Sequence, residues 1–163
     1  MNDRELMFLS AHEQRRLIAE KAISSVEMVE ASYRRITELE PQLNAFITLD
    51  EEGALSAARK ADEQLAKGKN LGVLHGVPIA VKDLEVTKGL RTTLGSTFFK
   101  NWIPDYDSVA VERLRATGAV ILGKTNTPEF GLGSHTFNPI YGATSNPFDQ
   151  GRSCGGSSGG AAV

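Results

Sequence analysis

The sequence predicts an α/β fold, because a helical segment separates two uninterrupted apolar runs. Residues 77–81 and 119–123 are short, continuous and apolar, which is typical of strands buried on both faces. The helix expected over residues 110–115 lies between them and ends at Gly118. A strand, a helix and a strand in this order predict a sheet in which the two strands are parallel neighbours.

The first part of the chain is predicted to be mainly helical. Ser10 with Glu13, and Ser24 with Glu27, each have the spacing of a capping box, so we expect a helix to begin after each serine. The second helix is predicted to end before Pro41, since the residue preceding a proline disfavours the helical conformation.

A short strand or extended link is expected over residues 44–49, and an alanine-rich helix over 51–67 that ends at Gly68. Beyond the second predicted strand, residues 130–156 are rich in turn-forming residues, and we expect loops there.

Composition restricts the class of protein. The chain has 163 residues, of which 40% are hydrophobic and 23% charged, with a formal net charge of -2. This charge leaves no electrostatic footprint for direct nucleic-acid binding. No apolar run is long enough to span a membrane, and the N-terminus has no signal-peptide pattern.

Cysteine and histidine usage indicates the redox compartment and bears on metal binding. The single cysteine, Cys154, cannot form an internal disulfide, which favours a reducing compartment, and we expect a cytoplasmic protein. The histidines show no spacing typical of metal ligands, so neither a metal nor a cofactor is expected.

The chain ends just after a helix is expected to begin, on Ala161, Ala162 and Val163. We therefore expect residues 1–163 to be the N-terminal portion of one longer domain, truncated at its C-terminus. Within it, residues 1–70 would be a mainly helical scaffold and residues 71–163 a β/α part that carries the chemistry.

Three chemistries are open to the serine pair Ser157 and Ser158, which four nearby glycines surround. A phosphate-binding loop would need a lysine where Ala161 stands. A serine–histidine hydrolase would need His12, His75 or His135 as base, but the sequence lacks the usual elbow motif around its nucleophile. Serine–lysine chemistry would need a lysine whose pKa burial lowers, and a simple helix cap remains a further alternative.

Lys82 is the lysine that fits, because it follows an apolar strand. Lys124 follows the other strand, and ligands of α/β sheets bind at such strand ends. The neighbouring Asp83 would raise the pKa of Lys82 if it faced the lysine, although successive side chains of a strand point to opposite faces.

Three stretches together resemble the amidase signature family: residues 76–83 (GVPIAVKD), 123–130 (GKTNTPEF) and 155–160 (GGSSGG). The resemblance runs from about residue 5 to the end of the chain, and the last stretch is highly specific. It implies an α/β fold with a mixed β-sheet covered by helices on both faces, of which this chain is the N-terminal part.

The resemblance also implies a Ser-Ser-Lys triad. Lys82 matches the catalytic lysine, and Ser157 matches the bridging serine, which a cis peptide bond precedes. Substrate-lining positions are expected at Gly131, Gly133, Ser134 and Ser158. The nucleophilic serine and the oxyanion-hole glycines would lie beyond Val163, so this piece alone is expected to be inactive.

The function expected from the resemblance is hydrolysis of a carbon–nitrogen bond in a small carboxamide or acyl amide. The alternative within the family is the glutaminase component, termed the A subunit, of glutamyl-tRNA(Gln)/aspartyl-tRNA(Asn) amidotransferase. Those subunits commonly have Met-Asp-Glu-Phe where this chain has residues 127–130 (TPEF), and the proline version favours a stand-alone amidase.

A non-catalytic binding or structural domain is the alternative from another class. The expected partner is a small amide, with a homo-oligomer possible and neither nucleic acid nor membrane bound directly. One residue departs from the family pattern: Cys154 stands where proline is usual. It is expected to be a small buried residue, and a reactive thiol is the sharper alternative.

Overall fold

The computed structural model describes residues 1–69 and 72–163 and confirms the α/β class. The predicted boundary between residues 70 and 71 lies outside the described residues. The helices are α1 (Asp3–Met7), α2 (Ala11–Ala19), α3 (Ser25–Leu43), α4 (Glu51–Ala66), α5 (Val109–Ala116) and α6 (Gly159–Ala162). The strands are β1 (Phe46–Leu49), β2 (Pro78–Lys82), β3 (Val120–Thr125), β4 (Phe137–Asn138) and β5 (Gly142–Ala143).

Both predicted capping boxes are confirmed. At the start of α2 the Ser10 hydroxyl accepts from Glu13 N, while the Glu13 carboxylate accepts from Ser10 N. Ser24 and Glu27 make the same reciprocal pair before α3. The short helix α1, which the sequence did not predict, begins with a third box between Asn2 and Glu5.

Helix α3 does not end before Pro41, and that prediction was wrong. The proline lies inside the helix, which continues to Leu43. A proline lacks one backbone donor, but the next turn still closes because Asn44 N donates to Glu40 O at 3.0 Å. The residue that follows the helix, Asn44, has a left-handed φ of 52°.

The main sheet has the strand order β1-β3-β2 and is mixed. Strand β1 is antiparallel to β3, with Thr48 opposite Lys124. Between β2 and β3, Val120 N donates to Val77 O, and further along Asp83 N donates to Thr125 O. Residue numbers rise together along the two strands, so they are parallel, as the sequence predicted.

The chain forms two compact units, each built from three stretches. The first comprises residues 1–38, 50–79 and 112–122. Leu6, Met28 and Ala31 form a buried cluster in it, with Met7 and Leu17 packed alongside.

The second unit comprises residues 39–49, 80–111 and 123–163. It contains both motif lysines and both serines of the 155–160 stretch. It also holds the short hairpin of β4 and β5.

The described residues contain neither a helix long and apolar enough to cross a membrane nor a group of three or more His, Cys, Asp or Glu side chains that could hold a metal.

Candidate active site

Lys82 is the last residue of β2, and its amine lies against the two serines of the glycine-rich loop. Lys82 Nζ is 2.9 Å from Ser157 Oγ and 3.0 Å from Ser158 Oγ. The strand supplies the direction of the lysine side chain, and the loop supplies both hydroxyls. The structure therefore brings together Lys82 and Ser157, which lie 75 positions apart in the sequence.

The loop reaches the lysine because glycine permits a close approach of backbones. The peptide bond between Gly156 and Ser157 is cis, as the resemblance implies. A Cβ atom on Gly156 would lie 2.9 Å from His135 N, and one on Gly160 would lie 2.5 Å from Asn126 N. Any side chain at these two positions would push the serines away from the strand ends.

Thr136 holds the glycine-rich loop through two hydrogen bonds, a role that the sequence did not reveal. Its hydroxyl accepts from Gly159 N at 2.9 Å, and its own N–H donates to Gly155 O at 2.9 Å. Thr136 is fully buried. One threonine thus holds the backbone on both sides of Ser157 and Ser158.

Burial lowers the pKa of the Lys82 amine below the ordinary lysine value of 10.5, because the ammonium loses part of its hydration. The partners of this amine are hydroxyls, which can accept a hydrogen bond from an ammonium or donate one to a neutral amine. The site can therefore hold Lys82 either as an ammonium or as a neutral amine. A group that exchanges protons needs both forms.

The residues expected to line the substrate pocket are placed differently from one another. A surface cavity of about 330 Å³ is lined by Gly133 and Ser134, together with Glu129, His135 and Phe137 among others. Gly131 lies in sequence between the lining residues Glu129 and Gly133, but it packs against Leu84, since a Cβ atom there would lie 2.6 Å from Leu84 Cδ1. Ser158 lies at the lysine instead.

The three histidines occupy other places. His75 is buried, with its ring Nε2 3.0 Å from Ala61 O, and His12 is exposed on α2. The ring of His135 is exposed, and its Nδ1 lies 3.0 Å from Ser153 Oγ. None of these contacts joins a histidine to Ser157.

Cys154 is partly buried, and its thiol donates a weak hydrogen bond to Gly155 O at 3.4 Å. Its backbone N–H donates to Thr144 O at 3.1 Å, which attaches the start of the serine loop to the segment that follows β5.

The chain thus combines an α/β fold with a strand-end lysine that meets a serine hydroxyl of a glycine-rich loop, and comparison with known proteins gives its family. The family model described as Amidase matches residues 27–163. The chain therefore belongs to the amidase signature family.

Among relatives, the A subunit of glutamyl-tRNA(Gln) amidotransferase from Cutibacterium acnes (strain DSM 16379 / KPA171202) is 49% identical over 159 residues, which are 98% of this chain and 32% of the relative. The chain thus spans about a third of the length of the curated relatives that it matches.

Solved structures agree on the fold. A bacterial aryl acylamidase of the amidase signature family is 33% identical, with a TM-score of 0.90 over 95% of this chain and 32% of that one. A fatty acid amide hydrolase is 32% identical, with a TM-score of 0.91 over 98% of this chain and 28% of that one.

Proposed function

We propose that the protein hydrolyses the carbon–nitrogen bond of a carboxamide through a Ser-Ser-Lys relay. The observation that carries this proposal is the position of the Lys82 amine, 2.9 Å from Ser157 Oγ. The lowered pKa of Lys82 supports it, because a lysine serves as a base only in its neutral form. The nucleophile would be a serine encoded downstream of Val163.

In the proposed reaction the neutral amine of Lys82 takes the proton of Ser157 Oγ. Ser157 in turn takes the proton of the nucleophilic serine, whose oxygen attacks the carbonyl carbon of the amide. When the C–N bond breaks, the proton passes from Lys82 back through Ser157 to the leaving nitrogen. A water molecule then attacks the acyl carbon and gives up a proton through Ser157 to Lys82. When the ester bond to the nucleophilic serine breaks, that proton returns through Ser157 to the serine oxygen, and the carboxylic acid leaves.

Two substrate classes suit this chemistry. A small carboxamide or acyl amide fits a stand-alone enzyme, which Pro128 in the 127–130 stretch favours. The side-chain amide of glutamine fits an amidotransferase component that works with partner subunits. The 49% identity with a protein named as such a component favours glutamine, whereas the structures of stand-alone amidases are about a third identical.

The test uses the protein expressed from its complete gene, alone and with any amidotransferase subunits encoded beside it. Ammonia release is measured with glutamine and with a panel of simple aliphatic and aromatic carboxamides. Ammonia release from glutamine that requires the partner subunits would support glutamine as the substrate. Turnover of simple amides by the protein alone would support a small carboxamide or acyl amide.

The matched variant is Ser157→Ala, which removes the relay hydroxyl and leaves the amine in place. We expect turnover to fall by about 100-fold or more, because a positioned proton-transfer group contributes about that much. Unchanged turnover would contradict the relay. A complete gene without a downstream serine would instead support a non-catalytic binding domain.

A further inference from the structure

A buried ion pair that the proposed relay does not use lies beside it. Lys124 Nζ is 3.8 Å from Asp83 Oδ1, and both side chains are 0% exposed. Burying two charges is costly unless the geometry is good and hydrogen bonds compensate them, so a buried pair is weak evidence for stability. The contacts around this pair show which geometry it fixes.

Lys124 is fixed as a donor. Thr87 donates its hydroxyl hydrogen to Glu85 O, and Thr92 donates its own to Leu90 O. Their lone pairs therefore face Lys124 Nζ, at 2.9 and 3.1 Å respectively. Glu85 O also accepts from Nζ. An amine with three such acceptors is held as an ammonium and has no free lone pair with which to act as a base.

Asp83 is held through both its side chain and its backbone. Oδ2 accepts from Thr93 N at 3.0 Å and from Thr93 Oγ1 at 2.5 Å. Asp83 N donates to Thr125 O, and Asp83 O accepts from Leu94 N. Lys82 ends β2 and directly precedes Asp83. Holding the backbone of Asp83 therefore holds the strand end from which the Lys82 side chain extends.

The same contacts extend to the segment that lines the 330 Å³ cavity. Leu94 O, next to Thr93, accepts from Phe130 N at 2.7 Å. Gly95 packs on the same segment so closely that a Cβ atom there would lie 3.0 Å from Glu129 Cα. One buried cluster is thus bonded to the strand that bears the lysine and to the backbone that leads into the cavity.

We propose that Asp83, Thr93 and Lys124, which we name the buried clamp, are positioning residues that hold the Lys82 amine and the 129–134 segment in register with each other. The clamp acts through the backbone of Asp83 and of Leu94 rather than through the relay hydroxyls. This inference rests on the proposed function for its kinetic consequence, but its structural consequence can be measured without any activity.

The test compares Thr93→Val with Thr93→Ser in the protein from the complete gene. Valine has nearly the shape of threonine but lacks the hydroxyl that bonds Asp83, whereas serine keeps it. At a temperature where circular dichroism shows every variant fully folded, we expect Thr93→Val to lower kcat by about 10- to 100-fold and to raise KM, since small misplacements of catalytic groups have effects of that size. Thr93→Ser should restore both constants.

Hydrogen exchange supplies the second measurement. The amide of Phe130 should exchange faster in Thr93→Val and at the wild-type rate in Thr93→Ser, and the same valine substitution at the exposed Thr97 serves as control. A lower melting temperature with unchanged kcat, KM and Phe130 exchange would reduce the clamp to a structural role and overturn the inference. If the wild-type protein turned over no amide, the proposed function would fail, and Phe130 exchange would still decide whether the clamp exists.

Discussion

Two lysines near the ends of neighbouring parallel strands have opposite surroundings. Lys82 ends β2 and meets two serine hydroxyls, at 2.9 and 3.0 Å. Lys124 lies in β3 and is fully buried against a backbone carbonyl, two threonine oxygens and the Asp83 carboxylate. The serine hydroxyls can exchange donor and acceptor roles, whereas the carbonyl and the carboxylate at Lys124 only accept, and the two threonine hydroxyls there already donate their hydrogens to Glu85 O and Leu90 O.

The chemistry of a lysine's partners, and not burial alone, therefore decides whether its amine can exchange a proton. Burial lowers the pKa of both amines, and it brings that of Lys124 to about 8. Lys124 nevertheless stays charged at neutral pH, because acceptors surround it and Asp83 stabilises the ammonium. Lys82 has partners that tolerate the neutral amine, and for this reason the proposed relay assigns the proton transfer to Lys82.

Replacing each lysine by methionine gives the largest expected effects and tests directly whether the two lysines have different roles. In the protein from the complete gene, Lys82→Met should lower kcat for amide hydrolysis by about 1,000-fold, since it removes the base, and should leave the unfolding free energy nearly unchanged. Lys124→Met should instead lower the unfolding free energy by about 3–5 kcal/mol, because it leaves Asp83 buried without its partner. Steady-state kinetics and urea unfolding measure the two quantities.

Lys100→Met provides the control for both measurements, because Lys100 is exposed. Loss of turnover at full stability in Lys124→Met would contradict these different roles. Unfolding of the protein by Lys82→Met but not by Lys124→Met would contradict them as well.

The sequence was sufficient where a signal is local. The capping serines Ser10 and Ser24 located two helix starts, because a capping box is read from four consecutive residues. The contact between Lys82 and Ser157 spans 75 positions, and it was expected only because the motifs resemble those of a known family.

The partners of Lys124 could not be predicted. Its hydrogen-bond acceptors lie in residues 85–92, which have no periodic pattern, and they meet Lys124 only once the chain has folded around it. Thr136, which holds the serine loop, is one polar residue in a long loop and gives no signal in the sequence. Pro41 was misread because the loss of one backbone donor did not stop the next turn of α3 from closing.

The pH dependence of turnover is a smaller effect that tests the surroundings of Lys82. In the proposed relay Lys82 acts as a base only when it is deprotonated, so kcat/KM should rise with pH and be lost as pH falls through the pKa of Lys82. Because burial lowers that pKa, the midpoint should lie below 10.5. A rate profile between pH 6 and about 10 in the wild-type protein measures it. A midpoint at or above the ordinary lysine value would mean that the amine is fully hydrated and that the site is not built as proposed.

Single hydroxyl deletions should have the smallest effects and compare the two lysines partner by partner. Ser158→Ala removes one of the two hydroxyls at Lys82 and should lower kcat by about 10-fold, less than Ser157→Ala, because the proposed relay passes the proton through Ser157 and leaves Ser158 only to orient the amine. Thr87→Val removes one acceptor at Lys124 and should cost about 1.5–3 kcal/mol of unfolding free energy, the usual loss for a hydrogen bond to a charged group. Kinetics and urea unfolding on the same two samples test both expectations. An equal loss of turnover in Ser158→Ala and Ser157→Ala would show that the two serines share the relay, and Lys82 would then have two routes for its proton.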